Sequence, residues 1–391
     1  MRSLDVDRRV RVVRAHVDIR ARTIAVAVFG ACVMDAHARS GARAALARGT
    51  TTPGVVNITF GGVGYNIARG CATVIARAGV EMDVALVSVV GDDASGRAFA
   101  KEWASVALAM KGTIAIAPNA RTAHVVCVMG DDGEIASAIA DCAIVEKEFT
   151  PERARAFEDA ARRAAFVVVD ANLTPEAIAE VCKMCEEGGK RVWYEPVSVE
   201  KSKRIALAFG GARPMSSVAY ASPNAAELRE MANAIRRTWA QGSPMSPCPF
   251  NPSMEFQSAS EALDYLASDV STVLAAGCGC VVLTLGELGC VVSTASPDGI
   301  VSRATHVHIP AAPCREIVSV VGAGDALVAG AVAALALGVS PLAAIARGVA
   351  CASFTCGAHG ATMPSVDERD IDVIARIALD AARTLTPAVP Q

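Results

Sequence analysis

The chain has 391 residues, 52% of them hydrophobic and 4% aromatic, with 37 Lys+Arg against 40 Asp+Glu. That length and apolar content allow a large core, while a formal charge of −3 leaves no positive field to hold DNA or RNA. Thirteen cysteines, mostly within apolar runs, lack the spacing of a disulfide framework and fit a reducing, intracellular compartment. From the N-terminus, residues 1–22 carry seven arginines and no apolar segment, which reads as a flexible basic leader and excludes a secretory signal. Apolar, β-branched runs at 23–29, 84–90, 124–129, 165–169, 191–194, 281–285 and 290–294 predict strands. Helical spacing predicts helices over 66–78, 151–164, 175–187, 225–239 and 260–275. Alternation of this kind implies a mostly parallel sheet covered on both faces, with ligands beyond the carboxyl ends of its strands. Residues 241–260, rich in proline and serine, read as an inserted loop. No apolar run reaches the roughly 18 residues of a membrane span.

The sharpest chemical signal is Ser319-Val320-Val321-Gly322-Ala323-Gly324-Asp325, followed by the small, apolar series Ala326 to Leu337. Small residues let backbone N–H groups approach an anion, and the helix beginning there aims its positive end at the same place. An aspartate at the rim of such an anion hole can accept a proton from an attacking hydroxyl. Taken alone, a Gly-rich turn with an ordinary first-turn acid explains the segment equally well.

This segment resembles the C-terminal signature of the ribokinase-like, or PfkB, carbohydrate kinases, and Gly61-Gly62-Val63-Gly64-Tyr65-Asn66-Ile67-Ala68 resembles their N-terminal signature. The resemblance implies one three-layer α/β/α, doubly wound domain over 23–391, with a small β lid drawn from about 36–60 and 113–146. It implies phosphoryl transfer from ATP with Mg²⁺, with Asp325 as the base and Gly322, Ala323 and Gly324 as the anion hole. Asp35, Gly61, Gly62 and Asn66 would hold the acceptor's hydroxyls. Asn224, Thr284, Gly286 and Gly289 would meet ATP, and Asn224 and Glu227 of Ser222-Pro223-Asn224-Ala225-Ala226-Glu227 would organise Mg²⁺ through water. Asn224 and Glu227 also have the spacing of a helix capping box. Ser319 stands where the family usually keeps an acid beside a monovalent cation, so that cation stays open.

Within the family, Asp131-Asp132-Gly133-Glu134, Val169-Asp170-Ala171-Asn172 and Trp193-Tyr194-Glu195-Pro196-Val197-Ser198 are similar to stretches of its pseudouridine kinases. That similarity implies a nucleoside acceptor phosphorylated at its 5′-hydroxyl. Another nucleoside or sugar kinase is the neighbouring alternative, and a silent nucleoside binder is the alternative from a different class. The partners implied are small molecules, not nucleic acid or membrane; a homodimer stays open. Arg9-Val10 and His16-Val17 are similar to a peroxisomal address, leaving cytosol and peroxisome both open. Cys182 and Cys185 have zinc-like spacing within a predicted helix, and His306 and His308 alternate as on a strand surface.

Overall fold

The computed structural model describes residues 23–40, 49–106, 108–129, 135–210, 215–239, 250–251, 254–296, 298, 300–314, 316–358 and 360–387. The strands are β1 (Ile24–Phe29), β2 (Val33–Ser40), β3 (Gly54–Gly61), β4 (Asp83–Gly91), β5 (Ile114–Ala117), β6 (His124–Met129), β7 (Ile135–Asp141), β8 (Ala164–Asp170), β9 (Val192–Glu195), β10 (Val218–Ala221), β11 (Cys280–Thr284), β12 (Cys290–Thr294), β13 (Thr305–Ile309) and β14 (Arg383–Leu385). The helices are α1 (Val63–Arg77), α2 (Ala94–Ser105), α3 (Ala143–Glu148), α4 (Pro151–Arg155), α5 (Glu158–Arg163), α6 (Pro175–Glu187), α7 (Val199–Ser202), α8 (Arg204–Phe209), α9 (Ala225–Trp239), α10 (Ala259–Ala275), α11 (Ala323–Ala336), α12 (Pro341–Cys356) and α13 (Glu368–Asp380).

The large sheet runs β14-β13-β12-β11-β10-β9-β8-β1-β4-β5. It is parallel from β11 to β5 and antiparallel from β11 to β14. Every residue of β1 is buried, as a central strand covered on both faces requires. Its side chains divide between two cores, Ala27 and Phe29 facing one and Val26 and Val28 the other. Helices α4, α5, α6, α8, α9 and α10 cover the first core, and α1, α2, α11, α12 and α13 the second. The molecule is thus three-layered, as the strand and helix rhythm implied.

Local chemistry accounts for these elements. Helix α6 starts where Thr174 accepts a hydrogen bond from the Ala177 amide at 3.3 Å and Pro175 occupies the first turn. It buries Ile178, Val181, Cys182 and Cys185 on one stripe, so the two cysteines are core residues. The single helix expected over 151–164 is instead α4 and α5. Phe157 leaves helical geometry between them, with φ −108° and ψ 20°, and packs against the core. Strand β13 confirms the alternation at His306 and His308, but His306 is no surface residue: it is 9% exposed and hydrogen-bonded to the Ser293 hydroxyl at 2.9 Å.

A second, four-stranded sheet has the order β3-β2-β6-β7. Its strands overlap the two stretches expected to form a lid, with β2 starting earlier at Val33 and β3 ending at Gly61, while β5, also from 113–146, joins the edge of the large sheet. The leader, Asp131-Asp132-Gly133-Glu134 and most of the 241–260 insertion lie outside the described residues. Among the described residues, no helix is long and apolar enough to cross a membrane. At the carboxyl edge of the large sheet, Gly30 after β1, Asp170 ending β8, Glu195 ending β9 and Thr284 ending β11 come to one side, near the start of α11.

Candidate active site

Two helices that are 259 residues apart in sequence meet at the site: Asn66 in the first turn of α1 donates from Nδ2 to Oδ2 of Asp325, in the first turn of α11, at 2.8 Å. The Thr362 hydroxyl donates to Asn66 Oδ1 at 3.3 Å and fixes which way the amide points. One turn below this pair, Gly70 faces Ala329; a Cβ on Gly70 would lie 2.6 Å from the Ala329 Cβ. The missing side chain therefore sets the helix separation that brings Asn66 and Asp325 together. Burial pushes the Asp325 carboxyl up to about 7; the Asn66 hydrogen bond pulls it down, and the negative charges of Asp170 and Asp35 push it up.

The start of α11, where the sequence reading expects an anion hole, has an open amide end. Gly322 caps the helix at φ 81°, where a Cβ would collide with the Ala361 carbonyl oxygen at 1.9 Å, and no side chain caps this end. The Ala323 amide, however, donates to the Val320 carbonyl at 3.3 Å within its own turn. Gly322, Gly324 and Asp325 line a cavity of about 260 Å³ together with Val63, Glu195, Val197, Ser222, Asn224, Glu227 and Thr284.

Opposite α11, Asn224 and Glu227 open α9 with a reciprocal capping box. The Asn224 amide donates to Glu227 Oε2 at 2.9 Å, and the Glu227 amide donates to Asn224 Oδ1 at 3.0 Å. Thr284 borders the same wall through a bridge to Asn224. Gly286 and Gly289 lie in the turn between β11 and β12, outside the cavity lining, and Gly289 packs its bare backbone against Ile309 and Ala311.

Glu195, to which the sequence assigns no role, lines this cavity and is 8% exposed. The Ser222 hydroxyl donates to its Oε2 at 2.6 Å and the Val197 amide to its Oε1 at 3.3 Å, while Trp193 Nε1 donates to Ser222 at 2.7 Å. Burial pushes the Glu195 carboxyl well above the usual carboxylate range, Ser222 opposes this, and the charges of Glu227 and Asp325 add to it. Val197, beside it, has φ 69°, and the Ser198 amide bonds back to the Pro196 carbonyl at 2.7 Å. A β-branched residue in that region is strained, a state that collects at ligand sites. The available sequence signal was an acid closing a fully apolar strand, where a parallel sheet presents its ligand edge.

On the acceptor side, Asp35 sits on β2 opposite Thr59 of β3 and Val125 of β6. Burial pushes its carboxyl up to about 6, against the pull of His37. Gly61 has no room for a side chain, since a Cβ would lie 2.0 Å from Asp35 Oδ2, and Gly62, at φ 91°, lies equally close to the Ala31 carbonyl and Val33 amide. The four acceptor-side residues expected from the sequence are therefore contiguous in space, joined to Asp325 through Asn66.

Comparison with known proteins shows the family and the fold. Residues 23–369 match the pfkB family carbohydrate kinase model. The chain is 30% identical over 365 residues to the pseudouridine kinase of Arabidopsis thaliana, covering 83% of this chain and 88% of that protein. Its fold matches Arabidopsis thaliana ribokinase complexed with ribose and ATP, with a TM-score of 0.68 at 18% identity, over 90% of this chain and 99% of that one. It also matches a putative ribokinase II in complex with ATP and Mg²⁺ from E. coli, with a TM-score of 0.64 at 14% identity, over 90% and 99% of the two chains. The architecture is therefore ribokinase-like, and the chain belongs to the pfkB family of carbohydrate kinases and is a phosphotransferase.

Proposed function

We propose that this chain transfers the γ-phosphoryl group of ATP to the 5′-hydroxyl of pseudouridine. The observation that carries the reading is the Asn66–Asp325 pair, a half-buried carboxyl tuned to about 7, at the mouth of a cavity lined by helix-start amides and acids. The kinship with the Arabidopsis pseudouridine kinase supplies the acceptor.

Asp325 in its ionised form takes the proton of the attacking hydroxyl, and the amides at the start of α11 stabilise the charge on the transferring group. Asp35 accepts hydrogen bonds from the ribose hydroxyls, and Gly61 and Gly62 let the sugar reach the backbone. The nucleotide lies against Asn224, Thr284 and Gly322. Glu195 and Glu227 are buried there, hydrogen-bonded to the Ser222 hydroxyl and to the Val197 and Asn224 amides. Such a crowded, oxygen-only set fits Mg²⁺, which Glu195, Glu227 and Asn224 would hold partly through water. Bound there, Mg²⁺ would neutralise phosphate charge. The small sheet would close over the acceptor and exclude water.

Gly61→Ala should raise the KM for the nucleoside at least about tenfold by displacing the Asp35 carboxylate, with the KM for ATP little changed. Equal changes in both constants would take Asp35 out of the acceptor site. The reading as a whole is tested by ADP release from purified protein with pseudouridine, uridine, adenosine, ribose and fructose. Pseudouridine carries a ring N–H where uridine has none, so an acceptor aimed at it goes unpaired with uridine. Pseudouridine should be preferred by about 100-fold or more in kcat/KM. Preference for adenosine or a free sugar would overturn the acceptor and leave the phosphotransferase standing.

A further inference from the structure

Asp170, at the end of β8, is fully buried and takes no direct part in the chemistry proposed above. Its Oδ2 accepts the Ala31 amide at 2.9 Å and its Oδ1 the Asn172 amide at 2.9 Å. Gly30 presses its bare Cα against the same carboxylate, where a Cβ would lie 2.3 Å from Oδ2. The peptide held in this way is a junction. The Ala31 carbonyl accepts the Tyr65 amide at 3.2 Å, and Gly62 and Gly64 lie against the backbone of Gly30, Ala31 and Val33 with no space for a side chain. From that junction the chain leaves along β2 to Asp35, while α1 starts against it and carries Asn66 to Asp325.

We propose that Asp170 is a positioning residue for phosphoryl transfer, its carboxylate pinning the Gly30–Ala31 turn on which both Asp35 and Asn66 are placed. An uncharged residue could not serve equally, because two amide donors converge on it and both oxygens must accept. Leaving such a group buried is costly, and burial does push the Asp170 carboxyl above its ordinary value, against the two amides and Lys201. The structure tolerates that cost for a turn that the Gly30 amide ties to the Val87 carbonyl of β4 at 3.2 Å and the Ala31 carbonyl ties to the start of α1. Among the described residues no hydrogen bond joins this turn to β11 or to the starts of α9 and α11, and Glu195 of β9 meets β8 through its backbone, where its carbonyl accepts the Ala171 amide at 2.9 Å.

The inference rests on the proposed acceptor site, and its test separates the two. Asp170→Asn keeps the shape but offers one acceptor and one donor to the two amides. The expected result is a rise of about tenfold or more in the KM for the nucleoside, with the KM for ATP within about twofold of wild type. A second readout is the acid limb of kcat. The charges that face Asp325 are Asp35 from β2, Asp170 from β8 and Glu195 from β9, and Lys201 from α7 faces Asp170. Removing one negative charge eases ionisation of Asp325, so the limb should move to lower pH. Gly30→Ala, which displaces the same carboxylate from the other side, should reproduce the KM split and covers the case in which Asp170→Asn does not fold. Amide exchange needs no substrate: residues 30–40 and 61–70 should exchange faster in the variants, with 280–296 unchanged. A wild type inactive on pseudouridine, together with this exchange pattern in the variants, would overturn the acceptor and support the role of Asp170. Equal shifts in both KM values, or faster exchange throughout the sheet, would overturn the positioning role.

Discussion

Asp325→Asn should fold and bind nucleotide as the wild type does, yet lose about 10²–10⁴ in kcat, the range for removal of a general base. The pH profile makes the expectation specific. A base works only when ionised, and the Asp325 carboxyl is held at about 7, by burial first and then by the charges of Asp170 and Asp35 against the Asn66 hydrogen bond. Wild-type kcat should therefore rise with pH and level off above about 7, whereas an aspartate at its ordinary value of 3.8 would give a flat profile from mildly acidic pH upward. In Asp325→Asn that limb should vanish along with the rate. Turnover close to wild type from a folded variant would remove Asp325 from the mechanism, and a wild-type limb well below pH 5 would mean that its surroundings are wetter than their packing implies.

Asp269→Ala should cost about 3–5 kcal/mol of stability, as loss of one member of a buried ion cluster does. Asp269 lies on α10 at 2% exposure and takes Arg229 Nε at 2.5 Å and Arg236 Nη1 at 2.8 Å, both from α9. Arg229 is itself 4% exposed, with its guanidinium 4.9 Å from the centre of the Tyr265 ring. Truncation removes the one carboxylate that both guanidiniums share in a dry site. Urea unfolding monitored by far-UV circular dichroism would report the loss, and Asp269→Asn should recover part of it by keeping an acceptor. A change under about 1 kcal/mol would mean that water reaches the cluster.

Legibility in the sequence followed the strength of each local signal. Long periodic segments such as α6 and α9 were readable to the residue because capping residues mark their starts and apolar spacing their faces. Strands of three or four residues, β5, β10 and β14, carry too few alternations to stand out, and they exist because the neighbouring strands already offer an edge. The motifs single out Asp325, Asn66, Asp35 and the Asn224–Glu227 pair, and the structure shows Asn66 bonded to Asp325 and Asn224 and Glu227 capping α9. Glu195 and Asp170 were not assigned roles, because a lone acid at a strand end acquires one only when the sheet brings several such ends together. The small residues of 323–352 carry no hydrophobic periodicity that would assign them a face. In three dimensions they let α1, α11 and α12 approach through Gly70, Ala329, Gly330 and Gly348, and so have a spacing role.

The hydrogen bond between Asn66 and Asp325 also orders events during synthesis. Ribosomes release chains from the N-terminus, and the acceptor side, with β1, β2 and α1, emerges first. Its reactive partner follows 259 residues later. At translation speeds of about 5–20 residues per second, the nascent protein spends on the order of ten seconds or more with half a site. On the assignment proposed above, an unfinished chain in that interval has no base to set against a hydroxyl, and the site is completed only when α11 docks on α1.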